Sequence, residues 1–288
     1  MSFELWGFWG RFCFSLADVF DMEILMLGTG SAAVTECYNT CFALIADDGR
    51  PMLVDAGGGN GILKQLERGG LALTAIHDMF VTHTHTDHIL GAVWIVRMVA
   101  QSIYGGKYSG TFTVRGHDEA MAALRTICFA TLPVKVTCHI DKDIIFQTVA
   151  DGEHFTAIGC DFTAFNICST KAKQYGFAME LPRGERLVCL GDEPFNEQCR
   201  HYAEGAKWLL SEAFCLYSQR ERFKPYEKHH STALDAGKLA ESLRVHNLLL
   251  YHTEDKTLAT RRATYAAEAA THFTGTIHVP DDLERIEL

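Results

Sequence analysis

No stretch of the 288 residues is long and apolar enough to span a bilayer, and no low-complexity tract or Pro/Gly-rich linker interrupts the chain. Proline is scarce, at 6 residues. Basic residues are outnumbered: 26 Lys and Arg against 36 Asp and Glu give a formal charge of −10, which argues against a broad basic face for sequence-blind nucleic-acid binding but leaves room for a local basic patch. The ten cysteines are scattered, at positions 13, 37, 41, 128, 138, 160, 168, 189, 199 and 215, without the paired spacing of a zinc finger. Several sit in apolar runs, as Cys189 does between Val188 and Leu190, and read as small buried hydrophobes. The expectation is a reducing compartment, the cytoplasm, with no disulfide framework.

With 48% hydrophobic and 22% charged residues, the composition is that of a globular chain able to bury a full core. The first 21 residues stand apart. Phe3, Trp6, Phe8, Trp9, Phe12, Phe14 and Phe20 crowd together, but Glu4, Arg11, Asp18 and Asp21 break up any signal-peptide pattern. This extension reads as an upstream start, a packing arm or a contact between two copies in a homodimer. Met22 opens a normal first strand, and residues 22–288 read as one domain.

The densest chemistry lies at residues 83–88, where His83, His85, Asp87 and His88 fall within one short turn. Residues 76–82 read as a buried strand. Residues 89–102 read as a helix with Leu90, Val93, Trp94 and Met98 on one face. A strand-to-helix turn can aim several side chains at one point, whereas a straight strand sends alternate residues to opposite faces. A lone histidine is most often a surface or core residue. Four metal-competent side chains at this spacing would leave polar groups short of partners if buried without a cation, and imidazoles with a carboxylate suit zinc and related divalent ions.

Further polar residues follow apolar strand-like runs: Asp55 after residues 52–54, Cys168 after 162–167, Asp192 after 186–190, Glu212 after 207–210 and His252 after 248–251. Rigid elements position functional groups at such ends. The glycines of Gly28-Thr29-Gly30-Ser31 read as a structural turn rather than a phosphate loop. Helices are expected from Asp118, as N-cap, and over 232–243 and 257–272, with several short strands across 134–167 and a terminal strand near 276–279.

The His-x-His-x-Asp-His pattern resembles the signature of the metallo-β-lactamase superfamily. Leu27-Gly28-Thr29-Gly30-Ser31, Ser211-Glu212-Ala213 and His230-Ser231-Thr232-Ala233 resemble its ribonuclease Z branch. The resemblance runs over nearly the whole chain from Met22. It implies an α/β fold, a four-layer αββα sandwich, and a binuclear metal site, most simply two Zn2+ ions. His83, His85 and Cys168 would hold one ion, Asp87, His88 and His252 the other, and Asp192 would bridge them. Asp55 would orient ligands from behind, its rival role being a helix cap. Glu212 and His230 would form a proton relay beside the metals, with His229 as the rival partner. Asp87, Glu212 and His230 are thus the candidate catalytic residues.

Two departures from the branch bear on function. Cys168 stands where the branch carries a histidine, and a thiolate there would just balance the charge of two dications; slower phosphodiester hydrolysis and a preference for zinc follow as expectations. The features that handle tRNA are missing as well. His252 is followed by Thr253-Glu254-Asp255-Lys256 rather than Ser-x-Arg-Tyr, and positions 133–161 leave no room for a long arm. The expected function is a cytoplasmic, zinc-dependent hydrolase of a small phosphodiester or related ester, with nucleic acid not favoured and no membrane partner. Arg220, Arg222, Lys224 and Lys228 are a local anion patch or solvated loop charges. The alternatives are a tRNA 3′-end endoribonuclease and a degenerate metal-binding protein without turnover.

Overall fold

The computed structural model describes residues 22–288; the aromatic segment 1–21 lies outside them. The first sheet contains β1 (Glu23–Gly28), β2 (Cys41–Ile45), β3 (Pro51–Val54), β4 (Asp78–Val81), β5 (Phe112–Gly116) and β6 (Ile144–Thr148). The second contains β7 (His154–Ala157), β8 (Cys160–Asn166), β9 (Tyr175–Glu180), β10 (Arg186–Cys189), β11 (Trp208–Glu212), β12 (Asn247–Tyr251) and β13 (Thr276–His278). A last strand, β14 (Arg285–Glu287), returns to the edge of the first sheet beside β1. Strand order is β14-β1-β2-β3-β4-β5-β6 in one sheet and β13-β12-β11-β10-β9-β8-β7 in the other. Each sheet changes from antiparallel to parallel pairing part-way across, at β3 in the first and β10 in the second.

Four layers follow from where the apolar side chains go. Ile24 and Met26 of β1 enter a core shared by the two sheets, while Leu25 and Leu27 face helices. With both faces buried, the central strands read as continuous apolar runs rather than alternating ones. Phe80, Phe155, Phe162 and Phe177 form the aromatic part of the inter-sheet core, with Phe80 and Phe155 stacked at 6.0 Å. Burial of each such side chain contributes about 1.5–3 kcal/mol.

Helices α1 (Gly61–Arg68), α2 (Thr86–Tyr104) and α3 (Asp118–Thr131), with the single turn α4 (Val134–Thr137), cover the outer face of the first sheet. The short turns α5 (Arg200–Ala203) and α6 (Arg220–Phe223) precede α7 (Ala233–Ser242) and α8 (Leu258–Ala269), which cover the second. Among the described residues, no helix is long and apolar enough to cross a membrane.

Two close backbone contacts seat the elements that carry the site. Gly91 of α2 lies against the loop after β3: a Cβ there would fall 1.8 Å from the Ala56 carbonyl oxygen, so only glycine fits. The Gly91 N–H also donates to the Gly57 carbonyl at 2.8 Å. At the start of α7, Thr232 and Asp235 form a reciprocal capping box that fixes the chain just after His230.

Local expectations met some corrections. Asp118 does not cap α3; the cap is His117, whose ring accepts from the Ala120 N–H at 3.4 Å. The expected strands of 134–167 begin only at β6, because Val134–Thr137 follow Pro133 into a helical turn. Strand β14 is three residues long, too short for its alternation to stand out in the sequence.

Candidate metal centre

The turn between β4 and α2 places its side chains as its spacing suggests. His85 is the extended N-cap residue of α2, so Asp87 and His88 lie in the first helical turn while His83 projects from the strand end. Asp55, just past β3, braces this turn from below. Its carboxylate accepts from the Thr82 N–H at 2.8 Å, from the Thr82 hydroxyl at 2.7 Å and from His88 Nδ1 at 2.7 Å. Asp55 holds a left-handed backbone conformation (φ 55°), unusual for a residue with a side chain and a local cost that its three bonds offset.

Residues distant in sequence meet this turn. His83, His85 and Asp192 form one group, and Asp87, His88 and His252 a second, with candidate ligand atoms within 4.8 Å of one another in each. The two groups share a point. Asp192 Oδ2 lies 3.6 Å from His83 Nε2, 3.5 Å from His88 Nε2 and 3.4 Å from His252 Nε2. All but His85 are buried.

The donor set fits divalent cations. His88 Nδ1 is committed to Asp55, and its buried Nε2 has no hydrogen-bond partner, so that nitrogen is aimed into the cluster. Burial drives His83 well below the ordinary imidazole range and His252 down to about 3. Burial would raise the Asp87 and Asp192 carboxyls, yet the surrounding histidines outweigh it and hold both below the usual range. Neutral imidazoles and ionised carboxylates are the forms that ligate metal. Burial also opposes a charge on His88, but Asp55 and Asp87 overcome it, so the cluster draws positive charge to its centre.

A second pair flanks the cluster. Glu212, at the end of β11, is buried and accepts from the Ser231 N–H at 2.5 Å and the Ser231 hydroxyl at 2.6 Å through Oε1. Its other oxygen faces His230 Nδ1 at 3.6 Å, and neither atom has another partner. The His230 ring stacks on Phe214 at 5.0 Å and lies 5.2 Å from the His252 ring. Burial raises the Glu212 carboxyl, opposed by His230 and Ser231. His229 points elsewhere: its Nδ1 meets the Thr170 hydroxyl at 2.6 Å. Of the two histidines, His230 faces the cluster.

The chain matches the family model described as "Anti-Pycsar protein Apyc1" over residues 22–274. The chain belongs to this family. It is also similar to ribonuclease Z of Mycobacterium marinum, at 26% identity over 281 residues spanning 93% of this chain and 99% of that one. Among solved structures it resembles the metallo-β-lactamase fold protein YhfI from Bacillus subtilis, with TM-score 0.74, 18% identity and coverage of 93% and 99%. It resembles the short form of human tRNase Z likewise, with TM-score 0.70, 19% identity and coverage of 92% and 99%. The Apyc1-family chain is thus a metallo-β-lactamase-fold hydrolase of the ribonuclease Z-like branch, with the αββα sandwich expected from its motifs.

Not every expected residue of this Apyc1-family member reaches the centre. Cys168 does not: its Sγ lies 3.7 Å from the Asn166 carbonyl oxygen and 3.6 Å from Gln198 Oε1, and it joins none of the ligand groups. A left-handed backbone at Cys168 (φ 58°) turns the loop at that point. The residue that stands beside His83 and Asp192 is instead Gln174. Its Nε2 lies 2.8 Å from His83 Nδ1 and donates to Asp192 Oδ1, while its Oε1 accepts from the Asp192 N–H at 3.3 Å. A glutamine at the foot of a strand carries no motif that singles it out. With the thiolate outside the cluster, the expected charge balance goes too, and with it the reason to expect slow phosphodiester chemistry.

Glu254 and Asp255, which follow His252, are buried and bonded within the protein. Asp255 accepts from the Thr35 and Glu36 N–H groups, and Glu254 from the Lys256 N–H and the Thr257 hydroxyl. The basic loop is largely self-neutralised: Lys224 pairs with Glu221 and Glu227, Arg220 lies over Tyr217 and near Glu221, and Arg222 lies over Phe223. Only Lys228 of this set packs on Phe214, beside His230. The glycine turn is structural, its N–H groups donating to Asp282, Tyr38 and Thr253.

Proposed function

We propose that the chain is a zinc-dependent phosphodiesterase acting on a small phosphodiester. His83, His85 and Asp192 would hold one cation and Asp87, His88 and His252 a second, with the Asp192 carboxylate lying between the two groups. The observation that carries this reading is the convergence of His83, His88 and His252 on the single oxygen Oδ2 of Asp192. A donor set of imidazoles and carboxylates suits zinc. Divalent cations in such a pair supply a nucleophile from water at neutral pH and polarise a phosphoryl oxygen.

The chain's own residues do the rest. Asp55 and Thr82 fix the His88 and His83 rings, and Gln174 fixes Asp192. Glu212 orients His230 through Nδ1, leaving Nε2 to protonate the departing alkoxide oxygen, a role that suits an imidazole. The two carboxylates Asp87 and Asp192 would not by themselves balance two dications, so a loaded centre would favour an anionic ester. The free, largely buried cysteines among the described residues fit a reducing cytoplasm.

The test is turnover of a panel of phosphodiesters, lactones, thioesters and β-lactams by the zinc-loaded protein, with Asp192→Ala as control. Hydrolysis of a phosphodiester that the variant loses is the expected result. No turnover with zinc or manganese, or equal rates in the two proteins, rejects the proposal.

A second reading is a tRNA 3′-end endonuclease, favoured by the ribonuclease Z relative that matches nearly end to end. Against it, α4, β6 and β7 occupy the stretch 133–161 that a tRNA-gripping arm would need. Incubation with precursor tRNA decides: cleavage adopts this reading, and none with either metal eliminates it. The non-catalytic alternative draws no support from Cys168, whose thiol lies outside the cluster.

A further inference from the structure

The loop joining β8 to β9 closes over the centre and is tied at both ends. Buried Glu193 accepts from the Ser169 hydroxyl at 2.7 Å and the Thr170 N–H at 3.1 Å, and Gln174 binds Asp192. Between these ties stands Lys171. Its ammonium lies 3.5 Å from His230 Nε2, its one side-chain hydrogen-bond partner among the described residues. An exposed lysine ordinarily keeps its ammonium in bulk water, because fixing a long side chain costs rotamer entropy. Here the side chain reaches the buried imidazole instead.

The geometry gives that contact a meaning. Glu212 faces Nδ1 of His230, so Nε2 is the nitrogen turned away from that carboxylate, and it is there that Lys171 reaches it. Lys171 therefore places a positive charge beside the His230 nitrogen that would meet the reacting group of an ester. A phosphodiester carries one negative charge on its non-bridging oxygens, whereas a carboxylic ester or lactone carries none. We infer that Lys171 binds a non-bridging phosphoryl oxygen and selects phosphodiesters over neutral esters. This inference rests on the phosphodiesterase reading above and adds the residue that sets its preference.

The experiment compares the zinc-loaded wild type with Lys171→Met and Lys171→Arg. The probes are bis(para-nitrophenyl) phosphate, para-nitrophenyl acetate and, by calorimetry, inorganic phosphate. A charge-assisted hydrogen bond sets the expected scale: in Lys171→Met the diester-to-acetate ratio of kcat/KM falls about 10- to 100-fold and phosphate binds more weakly by a similar factor. Lys171→Arg restores most of both. A ratio and a phosphate affinity that Lys171→Met leaves in place overturn the inference, as does an equal loss on both esters. Should the wild type hydrolyse neither ester, the hydrolase reading fails and the phosphate titration stands alone: weaker binding in Lys171→Met supports an anion site there, and equal binding refutes it.

Discussion

Replacing Asp55 by Asn separates the role of the brace from that of the ligands. The wild-type carboxylate accepts three bonds, from the Thr82 N–H at 2.8 Å, the Thr82 hydroxyl at 2.7 Å and His88 Nδ1 at 2.7 Å. Asparagine keeps the shape but has one oxygen to accept with, and its NH2 must face a donor. The Thr82 hydroxyl can rotate to accept from it; the His88 N–H cannot. If the amide oxygen keeps the Thr82 N–H, His88 loses its acceptor, and the loss of one charge-assisted bond is worth about 1.5–3 kcal/mol. Partners behind metal ligands typically change affinity about 10- to 100-fold, which agrees with that figure. Zinc affinity is measured by competition with a chromophoric chelator, and thermal unfolding is followed with zinc and with excess EDTA. Affinity is expected to fall by that factor. The zinc-induced rise in Tm should shrink by roughly 3–10 °C, from about 2–4 °C per kcal/mol for a domain near this size. Unchanged zinc affinity would refute the assignment of Asp55 to orienting His88. A loss of stability in EDTA with affinity intact would make Asp55 a fold residue alone.

Other substitutions follow from the same geometry. Cys168→Ala should leave zinc content unchanged by elemental analysis, because the thiol meets Asn166 and Gln198 rather than the cluster; a lost zinc equivalent would return it to the ligand set. Gly91→Ala should destabilise the protein by about 1–3 kcal/mol in thermal unfolding, since its Cβ would collide with the Ala56 carbonyl oxygen and push α2 off the Asp55 loop; a wild-type Tm would show that the loop yields freely. Glu212 has a folded-state pKa above its unfolded value, so its stabilising effect is present below the unfolded pKa and lost as pH rises through the folded one. Glu212→Gln, which keeps the acceptor for Ser231, should therefore gain in urea midpoint relative to wild type as pH rises above the ordinary carboxyl range while losing turnover. A difference that stays constant over this rise would contradict a raised pKa.

Much of the centre was legible because it is written in local patterns. The residues from His83 to His88 sit on one turn, and a dense run of ligating side chains stands out against any background. Asp192, Glu212 and His252 could be found because each follows a short apolar strand, and strand ends are where a buried scaffold delivers polar groups. Gln174 was not legible. It acts through an amide that meets His83 and Asp192 across the inter-strand gap, and nothing in its neighbours marks it. Cys168 misled for a related reason: position after a strand gives a residue's place along the chain, but the left-handed turn at that residue decides where its side chain goes. The buried acid Asp255 shows the same limit, because its partners, the Thr35 and Glu36 N–H groups, come from a loop whose approach only the fold determines.

The placement of the centre follows from the topology rather than from any single motif. In each sheet the strands that deliver site residues lie in or border the parallel region: β3 and β4 lead to Asp55 and His83, and β10, β11 and β12 lead to Asp192, Glu212 and His252. Parallel neighbours end at the same edge, so their carboxyl-terminal tips gather there, as ligand-binding edges of open α/β sheets do. Stacking two such sheets face to face brings both sets of tips to one seam. There Asp192 of one half meets His83 and His88 of the other within 3.6 Å. Neither half holds a complete set of candidate ligands, because Asp192 and His252 come from the second sheet and the histidine turn from the first. Assembly of the centre is therefore coupled to packing of the inter-sheet core around Phe80 and Phe177. A cation bound across that seam would strengthen the contact between halves as well as the chemistry at its edge.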